Sequence, residues 1–371
     1  MKKLGFGCMR LPLLDETNPA SVDIKHVFQM VDTFLLRGFT YFDTAYTYHA
    51  MQSEAVVREA LVKRHPREAF QLATKLPTMR LTCREDQERI FAEQLQKCGV
   101  SYFDYYLLHE LGAHSYETAK KLDSFSFVRQ KKAEGAIRRI GFSFHDSAQL
   151  LDEILTEHPE MEFVQLQINY LDLDNESIQS RKCWEVARRH SKPVIVMEPV
   201  KGGTLANVPK AAEQLFFRCR PDRSIASWAI RFAASLDNVM MVLSGMSTLE
   251  QLMDNLSYME QFEPLSEKEH AVIRQAATML LRSVAIPCTA CRYCLDECPA
   301  HLPIPQFFAL YNAEQQALNQ SFSTQQAYYS NLTRSNGRAS DCLGCKKCEA
   351  SCPQHIHVAD WMKAVANTFD H

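Results

Sequence analysis

No stretch of this 371-residue chain approaches the ~18 consecutive apolar residues that a membrane-spanning helix requires, and no membrane partner is expected. The first residues lack the apolar core of a secretory leader. Neither sign of charge is in excess. Lys and Arg number 41 and Asp and Glu 44, a net charge of −3, which gives no electrostatic case for a nucleic-acid partner. A G-x-G-x-x-G after the first strand, a low-complexity tract and any internal repeat beyond a pair of cysteine runs are also missing. The bulk of the chain is ordinary for a soluble globular protein, with 46% hydrophobic and 23% charged residues. Its length exceeds the ~250–300 residues at which single cores stop growing, so two domains are expected. Thirteen cysteines without a leader argue against a disulfide scaffold and for a reducing compartment, the cytoplasm.

Over residues 1–275 short apolar strands alternate with helical patterns. Strands are expected at 4–9, 39–44, 70–75, 102–109, 137–144, 163–169, 193–199 and 239–245, and helices at 53–63, 84–98, 117–134, 147–157, 176–189 and 224–235. Ser53 reads as a helix cap, ahead of an apolar stripe of Ala55, Val56, Ala60 and Leu61. Eight strands mostly followed by helices fit a (β/α)8 TIM barrel, whose function sits at the C-terminal strand ends. The competing α/β fold, an open doubly wound sheet, usually carries the glycine fingerprint that is missing here. Residues 276–371 read differently, as a small, mostly α-helical domain. Helices are expected at 276–283, 307–318, 325–332 and 358–368.

Eight of the cysteines form two copies of C-x2-C-x2-C-x3-C-P: Cys288, Cys291, Cys294, Cys298 with Pro299, and Cys342, Cys345, Cys348, Cys352 with Pro353. This is the bacterial ferredoxin run, in which the fourth cysteine of each run ligates the other cluster. Two [4Fe–4S] clusters follow, one on Cys288, Cys291, Cys294 and Cys352, the other on Cys342, Cys345, Cys348 and Cys298. Paired structural zinc sites are the alternative, although two C-x2-C pairs would suffice for one tetrahedral ion. The 43 residues between the runs exceed the spacer of a compact ferredoxin, and the region resembles the α-helical ferredoxin type. Cys8, Cys83, Cys98, Cys183 and Cys219 have no ligand spacing, and His301, His355 and His357 read as surface residues.

The segment Gly38-Phe-Thr-Tyr-Phe-Asp43-Thr-Ala-Tyr-Thr-Tyr48, with Lys75 and His109 ending the next two strands, resembles the aldo-keto reductase family over roughly residues 3–275. The resemblance implies a nicotinamide-dependent oxidoreductase interconverting a small carbonyl and an alcohol, with Asp43, Tyr48, Lys75 and His109 as its catalytic set. Reduction of a carbonyl leaves charge on oxygen and needs a proton donor within hydrogen-bond reach. Tyr48 is the expected acid, Lys75 is expected to lower its pKa, Asp43 to hold Lys75, and His109 to orient the carbonyl.

Carried over position by position, Ser143, Gln165 and Asn169 match the family's nicotinamide contacts, with Phe144 where an Asn is usual and Met197 where an aromatic is usual. Lys201 and Gly202 lie in a glycine-containing loop that can approach a pyrophosphate. Ser247, Gln251 and Asn255 match the adenosine-phosphate segment, which here carries no basic residue, so NADP and NAD both remain open. FMN, which bridges two-electron and one-electron chemistry, is a further candidate for the barrel mouth. A redox partner protein is implied by the clusters. The second functional reading is a non-catalytic electron-transfer or redox-sensing protein with a vestigial nucleotide-binding barrel.

Overall fold

The computed structural model describes residues 2–174, 178–281, 285–316, 326, 329, 332–333 and 336–370. Eight parallel strands close into a barrel in chain order: β1 Leu4–Gly7, β2 Tyr41–Asp43, β3 Gln71–Leu76, β4 Phe103–Leu111, β5 Ile137–Phe144, β6 Phe163–Gln167, β7 Val194–Met197 and β8 Val239–Gly245. Closure is made by β1 against β8, with Leu4 opposite Val242. Side chains alternate along each strand, so Tyr41, Ala73, Tyr105, Leu107, Phe163, Ile195, Met241 and Leu243 fill the barrel interior. The opposite face packs under the surrounding helices. At Gly141 a β-carbon would lie 2.5 Å from the Phe163 carbonyl oxygen, so the missing side chain is what lets β5 and β6 close.

Several helices start at side-chain caps. Ser147, Ser224 and Thr248 accept from the amides of Leu150, Ser227 and Gln251, at the starts of Ala148–Glu157, Ile225–Ser235 and Leu249–Met259. Ser53 does not cap. Its hydroxyl pairs with Thr44 Oγ1 at 2.8 Å, so a buried partner at the end of β2 outcompetes the local amide. The helix that follows, Ser53–Val57, relaxes into a π turn over Arg58–Val62. The single helix expected at 117–134 is two, Ala113–Lys121 and Ser124–Ala133, separated by Asp123 at φ 61°. That break resets the helix phase, so Phe125, Phe127 and Val128 reach the core that Tyr116 and Ala119 already face.

The helix Glu267–Leu281 packs against Lys210–Cys219, and Glu269 forms a buried ion pair with Arg231 at 2.7 Å. Barrel packing therefore runs past residue 275. Beyond it lie Tyr293–Glu297, Ile304–Gln316, Lys347–Ala350 and Val358–Phe369, and among the described residues this tail has no strand. The expected helix at 325–332 falls mostly outside the described residues, as do 317–318 and 282–283 of two others. The tail has its own core, in which Phe307, Phe308, Tyr329, Met362, Val365 and Phe369 are central.

Candidate functional site

Asp43, Lys75 and His109 come from the C-terminal ends of three neighbouring strands, and Tyr48 lies on the loop after β2. The ammonium of Lys75 is fully committed. It donates to Asp43 Oδ1 at 2.5 Å, to the Thr44 carbonyl at 2.8 Å and to the Tyr48 hydroxyl oxygen at 3.3 Å. The Tyr48 and His109 rings meet edge to face at 6.1 Å. Burial pushes the Asp43 carboxyl up, and Lys75 partly offsets it. The Tyr48 pKa lies well above the ordinary phenol value, raised by burial first and then by the charge of Asp43. Burial, then Lys75, then His145, holds His109 well below the ordinary imidazole value, so its ring is neutral.

Tyr48 is followed by an unusual backbone segment. His49, Ala50 and Met51 have φ of 52°, 51° and 67°, three consecutive left-handed residues without a glycine. His49 holds this turn: Nε2 accepts from the Leu11 amide at 3.3 Å, and Nδ1 lies 3.0 Å from the Pro19 carbonyl.

The expected nucleotide contacts divide into two groups. Ser143 Oγ accepts the Glu110 amide at 2.8 Å and keeps its own proton to donate. Gln165 Oε1 is buried without a partner, as are Asp43 Oδ2, His109 Nδ1 and Glu198 Oε2, all at strand ends. Orphaned polar atoms at this rim suit a polar ligand such as a carboxamide. The others are engaged. Asn169 donates to Asp172 Oδ2 at 2.8 Å and to the Glu198 carbonyl at 3.2 Å. Asn255 donates to Ser244 Oγ at 2.7 Å. Ser247 Oγ donates to the Arg10 carbonyl, and its amide to Gln251 Oε1, both at 2.8 Å. Lys201 is buried, paired with both Asp172 oxygens at 2.5 and 2.7 Å. Gly202 (φ 65°) lies so close to the Thr289 carbonyl that a β-carbon would collide with it. The structure thus does not offer Lys201 and Gly202 to a pyrophosphate, because Asp172 and Gln354 occupy the ammonium of Lys201 and Thr289 covers Gly202.

No disulfide joins any two of the thirteen cysteines. Cys8, Cys98 and Cys183 are buried, Cys219 is half-buried and Cys83 is exposed. In the tail, one cavity is lined by Cys288, Cys291, Cys294 and Cys352, and another by Cys298, Cys342, Cys345 and Cys348. The crossed pairing is the one the ferredoxin run implies. Among the described residues, no three His, Cys, Asp or Glu side chains converge tightly enough to hold a single ion. Four sulfurs around a wider cavity suit a cluster better than tetrahedral zinc. Burial raises Cys348 to about 11 and Cys291 to about 12, so these sulfurs become thiolates only opposite a positive partner such as iron.

Sequence reading missed the residues that join tail to barrel. Gln354 exchanges amide hydrogen bonds with Gln167 of β6 at 2.8 and 3.1 Å, and Lys201 lies 3.4 Å from its oxygen. Tyr293, between Cys291 and Cys294, is half-buried within electrostatic reach of Tyr48, Glu110, Cys291 and Glu198. Glu110, at φ 57° in an irregular stretch of β4, has its carboxyl pushed up to about 7 by burial. The one available signal was adjacency to His109.

The arrangement defines a (β/α)8 barrel with a polar, titratable rim, roofed by a cysteine-rich helical tail. The chain belongs to the aldo/keto reductase family, whose profile matches residues 3–278, and residues 287–357 match a 4Fe-4S dicluster domain. A probable aldo-keto reductase of Glycine max is 32% identical over 157 residues, 38% of this chain and 41% of that protein. The match thus spans about two-fifths of the length of that relative. The holo form of an aldo-keto reductase from Bacillus halodurans superposes with a TM-score of 0.60 at 23% identity, over 74% of this chain and 91% of that one. An aldo-keto reductase from Klebsiella pneumoniae in complex with NADPH gives 0.56 at 20% identity, over 75% and 90%. At these identities the two structures show the fold.

Proposed function

We propose that the barrel interconverts a small carbonyl and an alcohol, and that the tail carries two [4Fe–4S] clusters that exchange electrons with a redox partner protein. The observation that carries the first half is the position of Lys75 Nζ, between Asp43 at 2.5 Å and the Tyr48 oxygen at 3.3 Å. Because Lys75 donates to that oxygen, the hydroxyl proton of Tyr48 is free to point into the mouth and meet a carbonyl oxygen. When the proton leaves, the phenolate faces the same ammonium without rearrangement. Neutral His109 orients the carbonyl, and Asp43 fixes Lys75. A nicotinamide dinucleotide, when bound, supplies the hydride. Ser143 and Gln165 are suited to its carboxamide, and Ser247, Gln251 and Asn255 lie where the family places the adenosine end. The absence of a basic residue from 244–255 leaves NADP and NAD as equal candidates.

The crossed cysteine cavities support the cluster half, and the need to keep such clusters reduced supports a cytoplasmic setting. The two units divide at the end of the helix Glu267–Leu281. Replacing Tyr48 with Phe is expected to cut aldehyde turnover with NADPH or NADH by roughly 10²–10⁴-fold. Unchanged turnover in steady-state assays would return the chain to the non-catalytic reading.

A further inference from the structure

The two cysteine cavities have different surroundings. The cavity of Cys288, Cys291, Cys294 and Cys352 is also lined by Thr289 and Gln354, the residues that seat on Gly202 and Gln167 of the barrel. Its Cys291 lies in the field of Glu198, and its Cys288 in that of Lys201. Tyr293, two residues after Cys291 in the same run and half-buried, is within electrostatic reach of Tyr48, Glu198 and Cys291. The cavity of Cys298, Cys342, Cys345 and Cys348 is lined by tail residues alone. It opens outward, with Cys345 and Lys346 exposed and Leu343 71% exposed. Ile304 lines both cavities, so the two are adjacent.

We propose that the first cavity is the inner electron site, joined to the reactive mouth of the barrel through Tyr293, and that the second is the outer port at which a one-electron carrier protein docks. This order rests on the reading that both cavities hold [4Fe–4S] clusters. In the reducing direction the carrier loses one electron at the outer cavity and the inner cluster gains it, and in that step no bond forms or breaks and no proton moves. The port fits an acidic carrier, because Lys346 and Lys347 are both exposed beside Leu343 and carry no ion pair among the described residues. Tyr293 and Glu198 are positioning residues in this scheme. They set how strongly the mouth and the inner cluster feel each other.

The test uses the full-length protein, reconstituted anaerobically and counted for iron and sulfide. Potentiometric titration followed by electron paramagnetic resonance reads each cluster separately. Glu198→Gln removes a negative charge beside Cys291 and is expected to raise one midpoint potential and leave the other in place. Tyr293→Leu, a second change on the same side, is expected to alter the signal of that same cluster. Lys346→Glu with Lys347→Glu is expected to slow reduction by reduced flavodoxin, the acidic probe, at least tenfold, while reduction by dithionite is unchanged. Equal shifts of both potentials, or flavodoxin rates unaffected by the double charge reversal, would overturn the order while leaving the two-cluster reading intact. Iron well below about eight atoms per chain would overturn the two-cluster reading itself, and the order with it.

Discussion

Three left-handed residues in a row, His49 to Met51, sit immediately after the proposed acid Tyr48. Each non-glycine residue in that conformation costs roughly 1–2 kcal/mol, so the turn persists because the His49 ring is pinned from both sides. Ala50 is exposed, and its replacement by Gly removes strain without removing a contact. Ala50→Gly is expected to stabilise the protein by about 0.5–1 kcal/mol, read as a higher melting temperature. A lower melting temperature would mean that the turn stores no strain.

Glu110 supplies the pH dependence at this scale. Burial raises its carboxyl from the ordinary 4.5 to about 7, so the folded state holds its proton more tightly than the unfolded state does. Its contribution is therefore most favourable below about pH 4.5 and is lost as pH rises toward about 7. Across that window the native protein is expected to lose on the order of 2–3 kcal/mol relative to Glu110→Gln, measured by urea unfolding at a series of pH values. Parallel stability curves for the two proteins would rule this out.

Among the elements, the strands were the most legible. The strands expected at 137–144 and 239–245 are β5 and β8 with the same limits, because apolar runs bounded by polar turns have few alternatives in a closed parallel barrel. Asp43, Tyr48, Lys75 and His109 could be picked out because each stands at or just beyond a strand end, and the structure brings them to one rim. What could not be read was where the tail lies. The Gln167–Gln354 bond joins residues 187 positions apart, and nothing local to either glutamine announces it. The same blindness explains Lys201, whose partner Asp172 sits on a different loop. The junction is testable through Gly202. Gly202→Ala places a methyl against the Thr289 carbonyl at a φ of 65°, and both effects push the tail away. Faster proteolytic separation of tail from barrel is expected, with the barrel fragment still folded by circular dichroism. Equal cleavage rates would show that Gly202 does not set the contact.

For the molecule as a whole, the crossed pairing of cysteines would make each proposed cluster a staple. Cys288 and Cys352 stand 64 positions apart in the chain yet line one cavity. By analogy with a disulfide closing a loop of that length, such a link restricts the unfolded chain by about 4 kcal/mol. The tail core is small, and the barrel core owes nothing to iron. Removing iron with a chelator is expected to give two calorimetric transitions, the tail melting well below the barrel. A single transition at the original temperature would show that iron does not hold the tail.

The roof over the barrel mouth is hemmed by these staples. Thr289, Tyr293 and Gln354 each lie within two residues of a ligand cysteine. Oxidative loss of iron would therefore slacken the ceiling of the reaction chamber before it harmed the chamber walls. In an oxidised cell the first casualty would be the fit of the doorway, with the polar rim beneath it still intact.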